Sequence, residues 1–161
     1  MCQAKPLGCW YIVNVEAAIW QEGRYLMIIR SAQDSHAPGM LSMPGGKVEG
    51  AGSADNILEQ TLRREIEEEV GVQIAPGIQY VKSSAFIADD GDPVVDIVFL
   101  CRYQSGTPTA DPEEVADVQW MTVQGIMDHP RAPSWTRQSI VLAEKKRTAL
   151  GMVGGFSSQN Q

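Results

Sequence analysis

Four of the five residues from Glu65 to Glu69 are glutamates, and they sit in a segment where Leu58, Leu62 and Ile66 recur at intervals of four. That spacing predicts a helix from about Ala54 to Val70, with Gly71 placed where a helix commonly terminates. At roughly 100° per residue, Glu65 and Glu69 fall close to the line of Leu58 and Leu62, at the margin of the apolar stripe, whereas Glu67 points to the far side. Glu68 is offset but remains a neighbour of Glu65. Like charges three and four residues apart repel by roughly a few tenths of a kcal/mol per pair even when exposed. Hard carboxylate oxygens suit Mg²⁺ or Mn²⁺, which would offset that repulsion. Arg64 and Glu68 form an i, i+4 pair, so Arg64 is placed to hold one carboxylate while others ligate. On these residues alone a solvated acidic helix explains the pattern equally well.

The rest of the chain supplies a frame for that helix. Trp10 to Trp20 and Tyr25 to Ile29 are rich in β-branched and aromatic residues around a Gln21-Glu22-Gly23 turn, which reads as a β-hairpin. Gly39-Met40-Leu41-Ser42-Met43-Pro44-Gly45-Gly46 reads as a shaped loop, since Pro and paired Gly disfavour a regular element. A second hairpin is expected from strand character over 73–88, interrupted at Pro76-Gly77, and over 94–103, with a turn at Asp89 to Pro93. Val115 to Thr122 reads as a short strand, Val123 to Asp128 as a short helix ended by Pro130, and Ser134 to Leu150 as a last helix with Ser134 as its N-cap. Strands and helices in this order suggest a mixed sheet flanked by helices, an α/β (α+β) arrangement. Residues 1–150 read as one domain and 151–161 as a flexible tail.

Thirteen Lys and Arg against twenty Asp and Glu give a formal charge of -7, so no broad basic footprint for polymeric nucleic acid is expected. A small phosphorylated substrate remains compatible, because one metal site reverses the local potential. No apolar stretch approaches the roughly 20 residues that span a bilayer. The first six residues lack the apolar run of a secretory signal. Cys2, Cys9 and Cys101 lack metal-ligand spacing and read as inert thiols of a cytoplasmic protein.

Gly45-Gly46-Lys47-Val48-Glu49, followed by Arg64-Glu65-Ile66-Glu67-Glu68-Glu69-Val70-Gly71-Val72, resembles the Nudix box, G-x5-E-x7-R-E-U-x-E-E-x-G-U with U a bulky aliphatic residue. The second half matches at every defined position. With the flanking Trp10 to Arg30 and Glu114 to Trp120 segments, the resemblance extends to about residue 145. It implies a Nudix-type α/β/α sandwich with a mixed, mostly antiparallel sheet. One departure is clear: the interval from Gly46 to Arg64 is four residues longer than usual. The first Glu of the box is replaced by Gly52, or by Asn56 when counted back from Arg64. In the family that Glu mainly supports the loop-helix junction, so its absence bears on loop geometry more than on metal binding. The insertion around Ala51 to Ala54 should lengthen and loosen the loop.

The resemblance also implies roles. Glu65 and Glu69 would ligate Mg²⁺, with Mn²⁺ as the alternative, and Glu68 would ligate or help deprotonate the attacking water. Arg64 would orient the carboxylates, and the Gly46 carbonyl would complete the shell. Glu114 stands where MutT-type members carry an additional metal-binding or base carboxylate. Lys47, Arg24, Arg30, Arg131 and Arg137 are candidates for anion contacts, as against ordinary surface residues. Of the four tryptophans, Trp135 lies in the region where MutT-type members read the base. His36 and His129 read as loop histidines. The implied activity is Mg²⁺-dependent cleavage of the diphosphate linkage in a small nucleoside diphosphate derivative. A MutT-like nucleoside triphosphate pyrophosphohydrolase leads, an ADP-ribose or nucleotide-sugar pyrophosphatase is the rival, and a nucleotide-binding module without hydrolysis is the reading of another class. A homodimer is implied by resemblance only.

Overall fold

The computed structural model describes residues 10–50 and 52–153. Cys2, Cys9, Ala51 of the insertion and the tail from Gly154 onward lie outside the described residues. Eight strands and three helices follow in order: β1 (Ile12–Gln21), β2 (Arg24–Arg30), β3 (Leu41–Ser42), β4 (Gly45–Lys47), α1 (Ile57–Val70), β5 (Gln73–Ile74), β6 (Gln79–Ile87), β7 (Pro93–Ser105), β8 (Val115–Thr122), α2 (Val123–Asp128) and α3 (Ser134–Ala149). No helix among them is long and apolar enough to cross a membrane.

Strand β1 organises the sheet because both of its faces are covered. Val15, Ala17 and Ile19 pack with Leu62, Ile66 and Val70 of α1, while Ala18 and Trp20 pack with Ile126 of α2 and Ile140 and Ala143 of α3. Alternation of side chains along a strand sends consecutive residues to opposite layers, which makes an α/β/α sandwich. Leu62, Ile66 and Val70 are fully buried, and each such side chain contributes roughly 1.5–3 kcal/mol. Along its length β1 pairs in parallel with β7, from Ile12 opposite Val94 to Trp20 opposite Arg102, and every other pairing in the sheet is antiparallel.

The first expected hairpin survives only at its turn. β1 and β2 pair at Trp20 with Tyr25 and Gln21 with Arg24, after which β2 runs along β8 and the two arms separate. The expected loop of residues 39–46 fills the gap as two short strands, β3 against β2 and β4 against β1. Pro and Gly did not prevent regular pairing here, because the pairing depends on glycine. A Cβ on Gly45 would collide with the Val15 backbone, so only a residue without one can lie this close to β1. The second hairpin, β6 with β7, forms as expected.

Helix α1 starts at Ile57, three residues later than expected, behind Asn56 in the left-handed conformation at φ 54°. It ends at Gly71, whose φ of 68° and amide bond to the Glu67 carbonyl make the anticipated C-cap. The N-cap of α3 is Pro133 rather than Ser134, which is already helical. Proline is suited to that place because its missing N–H is not needed at a helix start.

Candidate active site

Strand β4 and helix α1 bring the first carboxylates together. The Gly45 amide donates to Glu69 Oε2 at 3.0 Å. Beside it, a Cβ on Gly46 would occupy the position of the Glu65 carboxyl group, so the paired glycines admit both acids against the strand. A third acid arrives from the loop before β8. The Asp111 amide bonds the Glu69 carbonyl at 3.0 Å, the Thr109 amide bonds the Val70 carbonyl at 3.0 Å, and the Ser31 amide bonds the Glu114 carbonyl at 3.1 Å. This loop is thus laced to the end of α1 and to the end of β2. One oxygen each from Glu65, Glu69 and Glu114 falls within 4.8 Å of the others.

The electrostatics match that crowding. Burial pushes the Glu69 carboxyl up to about 8, with Glu114 and Glu65 adding to the rise and the Gly45 amide opposing it. Glu65 is raised by burial against the pull of Arg64, and Glu68, Glu114 and Glu49 reinforce the rise. Glu114 is raised by burial and then by Asp111, Glu68, Asp34 and Glu113. Three hard oxygen donors whose ionised forms repel one another make a donor set that fits a divalent cation.

The remaining sequence candidates fall in different places. Arg64 bridges Glu65 at 2.9 Å and Glu68 at 3.4 Å, as its i, i+4 spacing suggested. Glu68 is 57% exposed and lies outside the three-acid group, on the wall of the same cleft of about 300 Å³. Gly46, Lys47 and Arg30 line that cleft too, and Lys47 is exposed. The Arg30 guanidinium is held by Asp34 at 2.7 Å and by the His36 carbonyl at 3.0 Å. Glu49 lines the cleft, whereas Gly52 and Asn56 are exposed and absent from its lining. Arg24 borders a separate hollow with Trp120, and Arg137 bonds the His129 carbonyl at 3.1 Å.

Trp135 is 53% exposed and belongs to an adjoining cleft of about 130 Å³. Trp20 is buried under Arg147 at 4.8 Å, and Trp120 meets Tyr103 edge to face at 5.5 Å, so both serve packing. Sequence reasoning missed the polar floor of this adjoining cleft, of which Asn14 and Glu16 also line the first. Asn14 Nδ2 donates to Asp96 Oδ1 at 2.7 Å, and Ser42 Oγ donates to Glu16 Oε1 at 3.2 Å. Burial raises both the Glu16 and the Asp96 carboxyls, and the neighbouring Asp96 adds to the rise at Glu16. The available signal was a polar residue at alternate positions of β1 and one acid inside the apolar run of β7.

Known proteins resemble the chain in sequence and in fold. The family model described as NUDIX domain matches residues 10–144. The NAD-capped RNA hydrolase NudC of Stutzerimonas stutzeri strain A1501 is 32% identical over 128 residues, which are 78% of this chain and 42% of that protein. The chain therefore spans about two fifths of the length of that relative. Among solved structures, the MutT protein from Methanosarcina mazei Go1 superposes with a TM-score of 0.72 at 26% identity, covering 85% of this chain and 95% of that one. The NUDIX domain of Shewanella oneidensis NrtR, solved with ADP ribose, gives a TM-score of 0.69 at 21% identity, covering 89% and 94%, and shares the fold.

Proposed function

The chain belongs to the Nudix hydrolase family, and from that premise we propose that it is a Mg²⁺-dependent hydrolase of the diphosphate linkage in a small nucleoside diphosphate derivative, with Mn²⁺ as the alternative ion. The leading substrate class is a nucleoside triphosphate, cleaved to a monophosphate and pyrophosphate as in MutT-like proteins. The observation that carries the reading is the convergence of Glu65, Glu69 and Glu114 within 4.8 Å from two elements far apart in sequence.

These carboxylates would hold a divalent cation, which would supply charge neutralisation for the phosphoryl oxygens under attack. In the proposal the Gly46 carbonyl joins Glu65, Glu69 and Glu114 as a ligand. Glu68, exposed on the cleft wall and steadied by Arg64, takes the proton from the attacking water or lends a further ligand. Lys47 supplies a cation for the substrate phosphates. Arg30 has part of its guanidinium engaged by Asp34 and offers the rest to the cleft. Trp135 offers an apolar face to the base. A cytoplasmic setting and a homodimer complete the proposal. The buried Cys101 thiol, pushed up to about 12 by burial, suits the first because it is unreactive.

A second reading is favoured by the name of the NudC relative and by the ADP ribose on the NrtR domain. Here the diphosphate joins a nucleoside to a sugar or to a second nucleotide. The charge of -7 argues against a groove that tracks a nucleic-acid backbone, yet a capped RNA end brings a single diphosphate and remains compatible with the cleft. Product analysis on a nucleotide panel with Mg²⁺ separates the readings. Pyrophosphate with a nucleoside monophosphate supports the first, and two monophosphates, or a monophosphate with a sugar phosphate, support the second. Metal and nucleotide binding without turnover would leave a binding module and overturn both.

A further inference from the structure

We propose that Asp89, in the turn between β6 and β7, is a positioning residue for this reaction: it fastens the loop of residues 31–40, and through that loop it fixes Arg30 on the path of the substrate phosphates. The inference rests on the reading above, in which a diphosphate lies over Glu65, Glu69 and Glu114.

Arg30 stands where three hollows meet. It lines the acidic cleft, the adjoining cleft that holds Trp135 and a third hollow beside Glu113. Two of its three guanidinium nitrogens are committed to the loop that follows it. Nη2 pairs with Asp34 Oδ2 at 2.7 Å, and Nε donates to the His36 carbonyl at 3.0 Å. The other Asp34 oxygen accepts from the His36 amide at 3.1 Å, so Asp34 and His36 grip Arg30 as one unit. Two bonds on a planar fork fix its orientation, and the remaining N–H groups are presented in a direction that the shape of the loop decides.

That shape is held from outside the loop. Ala37, next to His36, has a φ of 46°, in the left-handed region that a residue with a Cβ enters at a cost and keeps only where its surroundings hold it. The bond that reaches it comes from 52 residues away, since the Ala37 amide donates to Asp89 Oδ2 at 3.2 Å. His36 Nδ1 lies 3.3 Å from the same oxygen without making a hydrogen bond to it, and the His36 ring stacks on Phe86 of β6 at 5.2 Å. At the other end of the loop the Ser31 amide bonds the Glu114 carbonyl at 3.1 Å. The loop therefore runs from the three-acid site to the β6–β7 turn and is fastened at both.

The turn is built to carry the fastening. The Ala88 amide bonds the Asp92 carbonyl at 2.9 Å, the Gly91 amide bonds the Ala88 carbonyl at 2.8 Å, and Asp90 Oδ1 accepts from the Asp92 amide at 3.2 Å. Asp90 is thus spent within the turn, whereas Asp89 reaches across to the loop. A carboxylate repels phosphate, so any help that Asp89 gives to a phosphorylated ligand runs through the cation it positions. Its side chain is 62% exposed, and replacing it leaves the core untouched.

Calorimetry with inorganic pyrophosphate and Mg²⁺ on the full chain reads this effect without turnover. Asp89→Ala should weaken pyrophosphate binding about fivefold, the worth of one hydrogen bond. Asp89→Asn keeps an acceptor for the Ala37 amide and should stay within about twofold of the unaltered chain. Arg30→Ala should weaken binding by about tenfold, and adding Asp89→Ala to it should weaken binding no further, because nothing is left to position. A merely structural Asp89 would cause the same loss with and without Arg30. Where a nucleotide is turned over, Asp89→Ala should raise KM about fivefold and leave kcat within about twofold. Should Asp89→Ala fail to fold, hydrogen exchange at the Ala37 amide of the unaltered protein gives the answer, with slow exchange expected and slower exchange in pyrophosphate. Unchanged binding in Asp89→Ala, additive losses with Arg30→Ala, an Asp89→Asn variant as weak as Asp89→Ala, an unprotected Ala37 amide or no binding of pyrophosphate would each overturn the inference. Turnover that Asp89→Ala leaves unaltered would sink this inference and leave the hydrolase reading standing. Coupled losses of pyrophosphate binding without turnover of any nucleotide would do the reverse.

Discussion

The Gly45 amide donates to Glu69 Oε2 at 3.0 Å, so β4 is fastened to α1 at the carboxylate of the three-acid group whose ionisation is most opposed by its surroundings. The bond favours the ionised form, burial disfavours it, and burial wins, leaving the group near 8. The site is therefore strained as an anion and prepared for a cation.

The first expected outcome concerns pH. The folded protein holds the Glu69 proton more tightly than the unfolded chain, so without metal this group makes stability fall as pH rises from about 4.5 to about 8. A divalent cation must displace that proton, and its binding should tighten over the same interval. Thermal melts with Mg²⁺ or Mn²⁺ should show a larger rise in Tm at pH 8 than at pH 6.5. Glu69→Gln should raise the metal-free Tm at pH 8 and abolish the cation-induced increase. A cation effect of equal size at both pH values would contradict the assignment.

Gly46→Ala probes the approach of β4 to α1. The added Cβ meets the Glu65 carboxyl, a flexible side-chain end, so Glu65 should swing away while the strand persists. Displacement of a ligand by about 1 Å can cost roughly 100-fold in rate. We expect kcat/KM to fall by about that factor and cation affinity to weaken, with the far-ultraviolet circular dichroism spectrum unchanged. Retention of full activity would show that Glu65 is not needed where it stands.

Glu68→Gln separates proton transfer from metal holding. Glu68 is on the cleft wall but outside the three-acid group, so this variant should keep the cation-induced rise in Tm. Its kcat should fall by about 100-fold or more if it takes the proton from water. Loss of the Tm response would instead make Glu68 a ligand.

These contrasts follow from what local sequence does and does not encode. Helix α1 was legible because Leu58, Leu62, Ile66 and Gly71 all act within one element, and the spacing of Glu65 and Glu69 places both on one side of it. The partner of β1 was not legible, since the Gln21-Glu22-Gly23 turn advertises β2 while the long pairing is with β7, about 80 residues away. Gly45 and Gly46 looked like loop formers because a missing side chain reads as freedom, yet here it permits contact. Glu114 stood as one loop acid among several until backbone bonds at Thr109 and Asp111 tied its loop to α1. Glu16 and Asp96 each interrupt an apolar strand visibly, but their meeting depends on a parallel register that no local pattern carries.

A last outcome lies away from the cleft, where Tyr25 of β2 reaches α3. Its buried hydroxyl donates to Glu144 Oε2 at 2.6 Å, and Glu144 also accepts from Arg147, whose guanidinium lies over the Trp20 ring. The Arg147 hydrogen bond, aided by Tyr25, holds the Glu144 carboxyl below its ordinary value despite burial. A lowered folded value means that this stability is complete above about pH 4.5 and is lost as pH falls through the folded value. Tyr25→Phe should cost about 1 kcal/mol, because Arg147 remains to pair Glu144. Glu144→Ala should cost more, about 1–3 kcal/mol, since it strands a buried hydroxyl and frees Arg147. Urea unfolding at pH 7 and pH 4 should show Glu144→Gln losing less stability on acidification than the unaltered chain. Equal costs for Tyr25→Phe and Glu144→Ala would mean that the hydroxyl finds another partner and that the bond does not link β2 to α3.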